Sequence, residues 1–299
     1  MRTINQTRAQ QAMPQPTTKV RVSHKDELDV WVMGEGEPVV FVHGVMTRDL
    51  LTPLMDELAK TGRYQMIHYG RRGHGGRGLP GESADIAGQA PDVVAILDAL
   101  GIDKAHVAGH SFGAYIALEL AKQVPDRLLS AILLEFLLGQ HLQTGPSLKT
   151  MKEFAEVAIP RIVENYISGD KDGAVTMLWD FTSGIEGGTE LIEPALPKGA
   201  RELSATDLNT FIQVDLPAIG SWIADPATVK EISTPVAWVG GADSPPAFAE
   251  SCAILLGWLP TTKAAAIDGA GHYFPTLKPA ETATTIDKLL SSQSPAKQV

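Results

Sequence analysis

The sequence lacks the features that mark disulfide-rich, membrane-spanning and nucleic-acid-binding proteins. Its one cysteine, Cys252, cannot form a disulfide within the chain, so a reducing compartment is permitted. No run of about 18 apolar residues occurs, so we expect no transmembrane helix. The 25 basic residues are outnumbered by 35 acidic ones, and the formal charge of −10 disfavours nucleic acid and anionic lipid as partners. We therefore expect a cytoplasmic protein that acts on a small molecule.

The length and apolar content bound the domain organisation. With 299 residues, 44% of them apolar, the chain can bury a large core as one domain, with or without an insertion. Residues 1–18 are rich in Gln, Thr, Arg and Pro and contain no apolar run, so we expect a disordered tail rather than a secretory signal. Folded structure is expected from residue 19 onward.

Short apolar runs alternate with helical periodicity over most of the folded part. Residues 38–42 and 131–134 are wholly apolar, which is typical of strands buried on both faces of a sheet. Strands that alternate with helices predict an α/β fold, a mostly parallel sheet flanked by helices. The predicted strands are residues 20–22, 28–32, 38–42, 64–69, 106–108, 131–134, 236–239 and 263–267, and the predicted helices are 50–60, 85–100, 112–123, 247–256 and 280–290.

The alternation stops between residues 139 and 233. This segment has helical patches and no convincing buried strand. It is also too long for a simple connection, because loops beyond about 15 residues are uncommon. We therefore predict a helical cap, or lid, at residues 139–233, inserted into a core formed by residues 19–138 and 234–299.

Ser111 is the predicted catalytic nucleophile. It is the centre of the pentapeptide Gly109-His110-Ser111-Phe112-Gly113, which lies between a predicted strand and a predicted helix. A nucleophile there stands on a tight, strained turn, and glycines two residues away on each side leave room for the neighbouring strand and helix. The helix that follows directs its N-terminal amides toward a developing negative charge. The alternative is a Gly/Ser turn without a catalytic role, which the strand-turn-helix context disfavours.

His272 is the predicted general base. It follows the last predicted strand, in the segment Gly269-Ala270-Gly271-His272-Tyr273-Phe274. An imidazole at that place can reach Ser111 across the carboxyl edge of the sheet. Of the 8 histidines, this one has the appropriate context, although a turn histidine with no role is the alternative.

Three motifs together resemble the α/β-hydrolase superfamily. They are the pentapeptide around Ser111, the pair Gly271-His272, and His43-Gly44-Val45 after an early buried strand. The resemblance covers residues 20–138 and 234–290. It implies an α/β-hydrolase fold with an inserted cap, and it is specific for the fold and the nucleophile but only weakly specific for the substrate.

The resemblance also implies an oxyanion hole. In this superfamily the amide after His-Gly joins the amide after the nucleophile, and here those are the amides of Val45 and Phe112. Each such donor contributes about 10²- to 10³-fold to the rate. His43, His74 and His110 are expected to have structural roles.

Two carboxylates compete for the role of the acid that orients the base. Asp243 follows the strand that usually delivers this acid, although Gly, Asp, Ser and Pro also make ordinary turns. Glu135 ends the strand after the nucleophile helix. Haloalkane dehalogenases and zearalenone-type lactonases of the superfamily resemble this chain in placing the acid there. A carboxylate within so apolar a run needs a partner, because an unpaired buried charge costs several kcal/mol, and His272 would supply one. The pattern favours Glu135 slightly and leaves Asp243 open.

The substrate pocket is expected to be apolar. Residues beside the catalytic positions and aromatic residues of the cap are the candidates for its walls, although most cap aromatics at helical spacing are ordinary core residues. The predicted wall residues are Met46, Leu137, Trp179 and Tyr273, and the further candidates are Phe112, which also flanks a catalytic position, and the cap aromatics Phe154, Phe181, Phe211 and Trp222.

These features predict a serine hydrolase that cleaves a carboxylic ester or lactone through an acyl-enzyme. The serine argues against haloalkane dehalogenases and epoxide hydrolases, which would carry Asp at position 111. Carbon–carbon bond hydrolases of ring-cleavage products, cofactor-free lyases or oxygenases, and a non-catalytic small-molecule receptor remain as alternatives. No metal-ligand spacing and no Gly-rich dinucleotide motif occurs, so we expect no metal and no cofactor. Nothing in the pattern predicts an oligomeric state.

Overall fold

The predicted strands form one sheet in a computed structural model that describes residues 11–82 and 84–292. Its strands are β1 (Thr18–Arg21), β2 (Glu27–Met33), β3 (Glu37–Val42), β4 (Tyr64–Tyr69), β5 (Ala105–His110), β6 (Leu128–Leu134), β7 (Val236–Gly241) and β8 (Lys263–Ile267). Their order across the sheet is β1-β2-β4-β3-β5-β6-β7-β8. The pairs β1–β2 and β2–β4 are antiparallel, and the others are parallel. The predicted α/β fold with a mostly parallel sheet is confirmed.

Helices cover both faces of this sheet. They are α1 (Thr52–Ala59), α2 (Ile86–Ala99), α3 (Phe112–Gln123), α4 (Gly145–Glu153), α5 (Ile159–Ser168), α6 (Lys171–Ser183), α7 (Thr189–Ile192), α8 (Ala200–Thr210), α9 (Leu216–Ser221), α10 (Pro226–Lys230), α11 (Pro246–Trp258), α12 (Phe274–Leu277) and α13 (Pro279–Ser291). Helices α2, α3 and α11 contribute to the core on one face, and α1 and α13 to the core on the other.

The period of two along the strands explains why both faces are buried. In β3, Val40 and Val42 belong to one apolar cluster, whereas Val39 and Phe41 belong to the other. Successive side chains of a strand point to opposite faces, so a wholly apolar strand fills both layers of core. The central position of β3 and β5 in the sheet places their carboxyl ends, and the loops that follow them, in the middle of one edge.

The segment between β6 and β7 consists of helices α4 to α10. Two of these helices continue into π-helical turns, α4 into Phe154–Ala158 and α8 into Phe211–Asp215. Side chains of this segment, including Phe154, Phe211 and Trp222, line a cavity together with Ser111. Because Ser111 follows the carboxyl end of β5, these helices cover the carboxyl edge of the sheet. They occupy the segment in which the sequence predicts a cap.

Part of the predicted disordered tail packs against the sheet. Trp31 Nε1 donates a hydrogen bond to the carbonyl oxygen of Pro14 at 2.8 Å, and the Val32 amide donates to Thr17 Oγ1 at 3.0 Å. Residues 11–17 are therefore held by β2, which corrects the prediction for this part, while residues 1–10 lie outside the described residues. Among the described helices, none has the length and apolar character needed to cross a bilayer.

Candidate active site

Ser111 stands on the sharp turn between β5 and α3. Its φ angle is +53°, which lies in the left-handed region that a side chain rarely adopts. The turn is crowded, because a Cβ atom at Gly109 would collide with the carbonyl of Gly113, and one at Gly113 would collide with the carbonyl of Val42. The Ser111 amide donates to the carbonyl of Glu135 at 2.9 Å. The two glycines of the pentapeptide are therefore required by the close approach of β5, α3 and β3.

Glu135 and His272 form a buried pair. His272 Nδ1 lies 2.9 Å from Glu135 Oε2, and the Gly241 amide donates to Glu135 Oε1 at 2.6 Å. When Glu135 is ionised it only accepts hydrogen bonds, so the neutral imidazole then carries its proton on Nδ1 and leaves Nε2 free to accept another. This is the tautomer that a general base for a serine hydroxyl requires.

Burial sets the ionisation of this pair. It lowers the pKa of His272 to about 3, so the imidazole is neutral at pH 7. It raises the pKa of Glu135 to about 7, against the hydrogen bond from the Gly241 amide, which favours the carboxylate. A positive charge on His272 would favour ionisation of Glu135, so charge on the two groups develops together.

Two rings hold the imidazole of His272 in place. Phe248 stacks on it with ring centroids 4.5 Å apart and an angle of 18° between the planes. His110 lies on it at 4.6 Å, and His110 Nε2 donates to the carbonyl of His272 at 2.9 Å. Burial lowers the pKa of His110 to about 3, so this second imidazole is also neutral. The orientation of His272 is thus fixed by packing as well as by Glu135.

The carboxylate of Asp243 makes no hydrogen bond or ion pair with the described imidazole of His272. It is exposed in the loop after β7, where its amide donates to the carbonyl of Ala270 at 2.9 Å. Its carboxylate makes no hydrogen bond or ion pair with any residue that the structure describes. Of the two carboxylates that the sequence leaves open, Glu135 is the one that contacts the imidazole.

The predicted oxyanion residues lie on two loops at the carboxyl edge. Phe112 is the first residue of α3, where a backbone amide has no partner within the helix. Gly44 packs against Ser111, since a Cβ atom on it would lie 3.2 Å from the Cβ atom of Ser111. Val45 follows and lines the cavity. The Thr47 amide then donates to the Val45 carbonyl at 2.5 Å around Met46, whose φ angle is +59°.

The cavity above Ser111 has a volume of about 370 Å³. None of its lining residues is a Lys, Arg, Asp or Glu, and most are apolar or aromatic. They are Val45, Ser111, Tyr115, Phe136, Leu137, Leu138, Gly139, Gln140, His141, Met151, Phe154, Leu178, Thr182, Phe211, Ile219, Gly220, Trp222, Ile223, Ala224, Phe248 and His272.

Only one of the four predicted wall residues, Leu137, lines this cavity. Met46 is fully buried in the core instead. Trp179 is also fully buried, and its Nε1 donates to Thr47 Oγ1 at 3.0 Å. The hydroxyl of Tyr273 lies 2.9 Å from Thr182 Oγ1, behind the wall. The prediction is corrected for Met46 and Tyr273, because a position beside Val45 or His272 in sequence does not point a side chain into the same space, and for Trp179, because this cap aromatic packs in the core.

An aromatic cluster forms one wall, and of its members the sequence indicates Trp222 as a candidate but not Tyr115 or Phe136. The ring of Tyr115 lies edge-on to Phe136 at 4.9 Å and to Trp222 at 4.8 Å. Tyr115 is four residues after Ser111, and a spacing of four on a helix places side chains on one face, which was the available signal. Trp222 Nε1 donates to Glu119 Oε1 at 2.9 Å and thereby ties the cap to α3. The described residues contain no group of three or more His, Cys, Asp or Glu side chains placed to hold a metal ion.

Comparison with known sequences gives one family and several partial relatives. The profile of the family described as "alpha/beta hydrolase fold" matches residues 37–279. A putative carbamate hydrolase RutD of Azorhizobium caulinodans is 33% identical over 111 residues, which are 36% of this chain and 41% of the relative. The dihydrolipoyllysine-residue acetyltransferase component of an acetoin cleaving system of Pseudomonas putida is 35% identical over 114 residues, 36% of this chain and 30% of the relative. The matches thus span less than half the length of these relatives.

Solved structures share the fold over most of the chain. The esterase EaEST from Exiguobacterium antarcticum has a TM-score of 0.71 at 15% identity and covers 92% of this chain and 99% of its own. The esterase RhEst1 from Rhodococcus sp. ECU1013 has a TM-score of 0.70 at 20% identity and covers 93% and 99%. Est816, described as an N-acyl homoserine lactone degrading enzyme, has a TM-score of 0.63 at 21% identity and covers 91% and 99%. At such identities the likeness is one of fold.

Proposed function

Since this chain belongs to the α/β-hydrolase fold family, we propose that it is a serine hydrolase that cleaves a small, apolar carboxylic ester or lactone. The observation that carries the proposal is the 2.9 Å hydrogen bond between His272 Nδ1 and Glu135 Oε2, made by an imidazole that lines the same cavity as Ser111. Nucleophile, base and acid come from three different loops at one edge of the sheet. A turn with only a structural role would not need this combination.

In the proposed reaction, Ser111 Oγ attacks the acyl carbon while His272 Nε2 takes its proton. The negative charge that develops on the acyl oxygen is stabilised by the amides of Val45 and Phe112. The carbon–oxygen bond to the leaving group then breaks, and the alkoxide receives the proton from His272. Water attacks the acyl-enzyme with the help of the same imidazole, which releases the acid and restores Ser111.

Glu135 has two tasks in this reaction. It holds the proton of His272 on Nδ1, and its charge stabilises the imidazolium that forms in each transition state. Burial outweighs the hydrogen bonds to Glu135 and raises its pKa to about 7, so the carboxylate gains most from the positive charge when His272 becomes protonated. The acid therefore contributes more to the transition state than to the resting enzyme, which is the condition for catalysis.

The cavity supports an uncharged and apolar substrate. Its volume of about 370 Å³ lies at the small end of ligand sites, which measure about 300–1,000 Å³. None of its lining residues is a Lys or Arg that could neutralise a phosphate or carboxylate, and the amide of Gln140 is a polar group that could orient a substrate. The aromatic cluster around Tyr115 offers flat apolar surface for an aryl or alkyl acyl group.

A substrate panel tests the proposal. It contains aryl esters, lactones, aryl carbamates, which are included because of the RutD relative, and a ring-cleavage diketone, each assayed with wild type and Ser111→Ala. We expect turnover of esters or lactones by wild type and a loss of about 10⁶-fold in the variant. Turnover of the diketone alone would indicate carbon–carbon bond hydrolysis instead. Equal activity in wild type and variant would contradict the assignment of Ser111.

A further inference from the structure

Arg71 is a buried cation that the proposed reaction does not use. It follows β4, and its side chain and that of Asp215 in the cap are both fully buried. Nη1 and Nη2 donate to the two carboxylate oxygens of Asp215 at 3.1 and 2.8 Å. The guanidinium also lies 4.0 Å from the ring centre of Phe112. Desolvation offsets most of the attraction in a buried ion pair, so stability alone is a weak reason for this arrangement.

Arg71 also binds the segment His43-Gly44-Val45, which carries the predicted oxyanion donor Val45 and is called the oxyanion loop below. Its Nη2 donates to the carbonyl oxygen of Gly44 at 3.0 Å. His43 Nδ1 lies 2.8 Å from the same oxygen, and His43 Nε2 accepts the Arg71 amide at 2.9 Å. The acceptor role of Nε2 places the ring proton on Nδ1, which therefore donates to Gly44. Burial holds the pKa of His43 well below its ordinary value, in keeping with a neutral ring. Two donors thus fix one carbonyl.

The fixed carbonyl sets the direction of an oxyanion donor. The carbonyl of Gly44 and the N–H of Val45 belong to one planar trans peptide, so they point in opposite directions. When the carbonyl is held by Arg71, the N–H is turned away from the guanidinium. The same peptide packs beside Ser111, as the 3.2 Å approach of a Cβ atom on Gly44 indicates. Rotation of this peptide would remove the Val45 amide from the oxyanion hole.

Asp215 connects this arrangement to the substrate cavity. It is the last residue of the π-helical turn Phe211–Asp215, and Phe211 at the start of that turn lines the cavity. Insertions of this kind in helices are frequent at functional sites. Although burial alone would raise the pKa of Asp215, the charges and hydrogen bonds of Arg71 and His74 hold it below its ordinary value. One turn of the cap therefore contacts the substrate space and anchors the guanidinium.

We propose that Arg71 is a positioning residue that orients the Gly44–Val45 peptide for the oxyanion hole, and that Asp215 links this peptide to the cap turn that contacts the substrate. The inference rests on the proposed function, because it assigns Arg71 a task in ester hydrolysis. It predicts that loss of the buried pair lowers transition-state stabilisation more than substrate binding.

The test uses the full chain with the double substitution Arg71→Met/Asp215→Leu, which removes the ion pair without leaving one buried charge alone. We expect kcat for the best ester of the panel to fall about 10- to 100-fold, since one of two oxyanion donors is misdirected rather than deleted. KM should change less than about threefold. Affinity for a trifluoromethyl ketone analogue, which adds to Ser111 and forms an oxyanion, should fall by the same factor as kcat. Affinity for the matched methyl ketone, which stays trigonal, should not.

A neighbouring ion pair provides the control. Arg72 donates to both carboxylate oxygens of Asp92 at 2.8 and 2.6 Å and is also buried, and the carboxylates that it contacts, Asp92 and Asp26, both lie outside the oxyanion loop. We expect Arg72→Met/Asp92→Leu to keep kcat within about twofold, whatever it does to the melting temperature. Equal kcat losses in the two double variants, or parallel losses for both ketones, would overturn the inference.

A second variant keeps the inference testable if the double variant does not fold. Arg71→Lys retains the charge, but one ammonium cannot reproduce the fork that reaches Asp215 and Gly44 together. As in the double variant, kcat should fall while KM stays nearly unchanged. A kcat equal to that of wild type would overturn the inference. A wild type that turns over no member of the panel would instead contradict the proposed function, so the two failures are distinguishable.

Discussion

Two buried carboxylates, Glu135 and Asp215, differ in ionisation because their partners differ. Glu135 lies 2.9 Å from the imidazole of His272, which is neutral, and burial raises the pKa of Glu135 to about 7. Asp215 lies 2.8 Å from the guanidinium of Arg71, and although burial opposes its ionisation, that charge holds its pKa below the ordinary value. Both carboxylates are almost completely buried, so the partner decides the charge.

The difference separates two kinds of task. A carboxylate beside a neutral imidazole gains stabilisation only when the imidazole is protonated, which suits a group that acts in a transition state. A carboxylate beside a guanidinium is ionised at every pH at which the enzyme works, because the guanidinium stays charged. This second pair is suited to holding other groups in place. Substitutions around Glu135 are therefore expected to change the rate and its pH dependence most, and substitutions around Asp215 to change stability and, through the Gly44–Val45 peptide, kcat to a smaller extent.

The largest expected effect is on kcat, and it compares Glu135 with Asp243. Glu135→Gln removes the charge that stabilises the imidazolium, and because the Gly241 amide would bind the remaining oxygen, the side-chain NH2 group would face His272 Nδ1 and disfavour the required tautomer, so kcat should fall about 10⁴-fold. Asp243→Asn is the matched control, because this exposed carboxylate has no contact with His272, and kcat should stay within about twofold. Ester hydrolysis under saturating substrate measures both. A greater loss in Asp243→Asn would assign the acid to the other loop.

The next largest effect is on the free energy of unfolding of the protein when the ion pair of Arg71 and Asp215 is broken. Asp215→Asn leaves the guanidinium of Arg71 buried without a counter-charge, so the free energy of unfolding should fall by about 3–5 kcal/mol. Urea denaturation followed by circular dichroism measures this change. A loss below about 1 kcal/mol would show that the pair is not held in the ionised state described above.

The smallest effect is on the pH dependence of stability, compared between Glu135→Gln and Asp215→Asn. Glu135 ionises near 4.5 in the unfolded chain and near 7 when folded, so ionisation makes the folded wild type less stable as pH rises through this window. Glu135→Gln lacks this penalty, and its stability relative to wild type should improve by roughly 2–3 kcal/mol between pH 5 and pH 8. The difference for Asp215→Asn should be constant there, because the lowered pKa of Asp215 leaves it ionised throughout. Denaturation at both pH values checks this, and equal slopes for the two variants would contradict it.

The sheet and the catalytic loops were predictable because their signals are local. Apolar runs such as residues 131–134 indicate buried strands, and the glycines at 109 and 113 follow from the crowding of one turn. Glu135 was favoured by a physical argument, since a carboxylate in an apolar run needs a charged or polar partner. Asp243 has only a turn composition, and in the structure it lies in an exposed turn.

The cap and its contacts were not predictable in the same way. Arg71 and Asp215 are 144 residues apart, and no strand pairing fixes the register of the cap helices against the loops below them. The prediction of the pocket wall residues was wrong for a related reason. Met46 and Tyr273 adjoin catalytic positions in sequence but point into the core, whereas Tyr115, one helical turn after Ser111, points into the cavity. Helical spacing predicts direction better than adjacency does.

Labelling by a fluorophosphonate most directly tests the central claim, that Ser111 is a nucleophile activated by the His272–Glu135 pair. Folded wild type and Asp243→Asn should gain the mass of one adduct, located by peptide mapping on the peptide that contains Ser111. Ser111→Ala should gain none, and Glu135→Gln should react far more slowly than wild type. An unlabelled folded wild type, or an adduct that persists in Ser111→Ala, would contradict the claim.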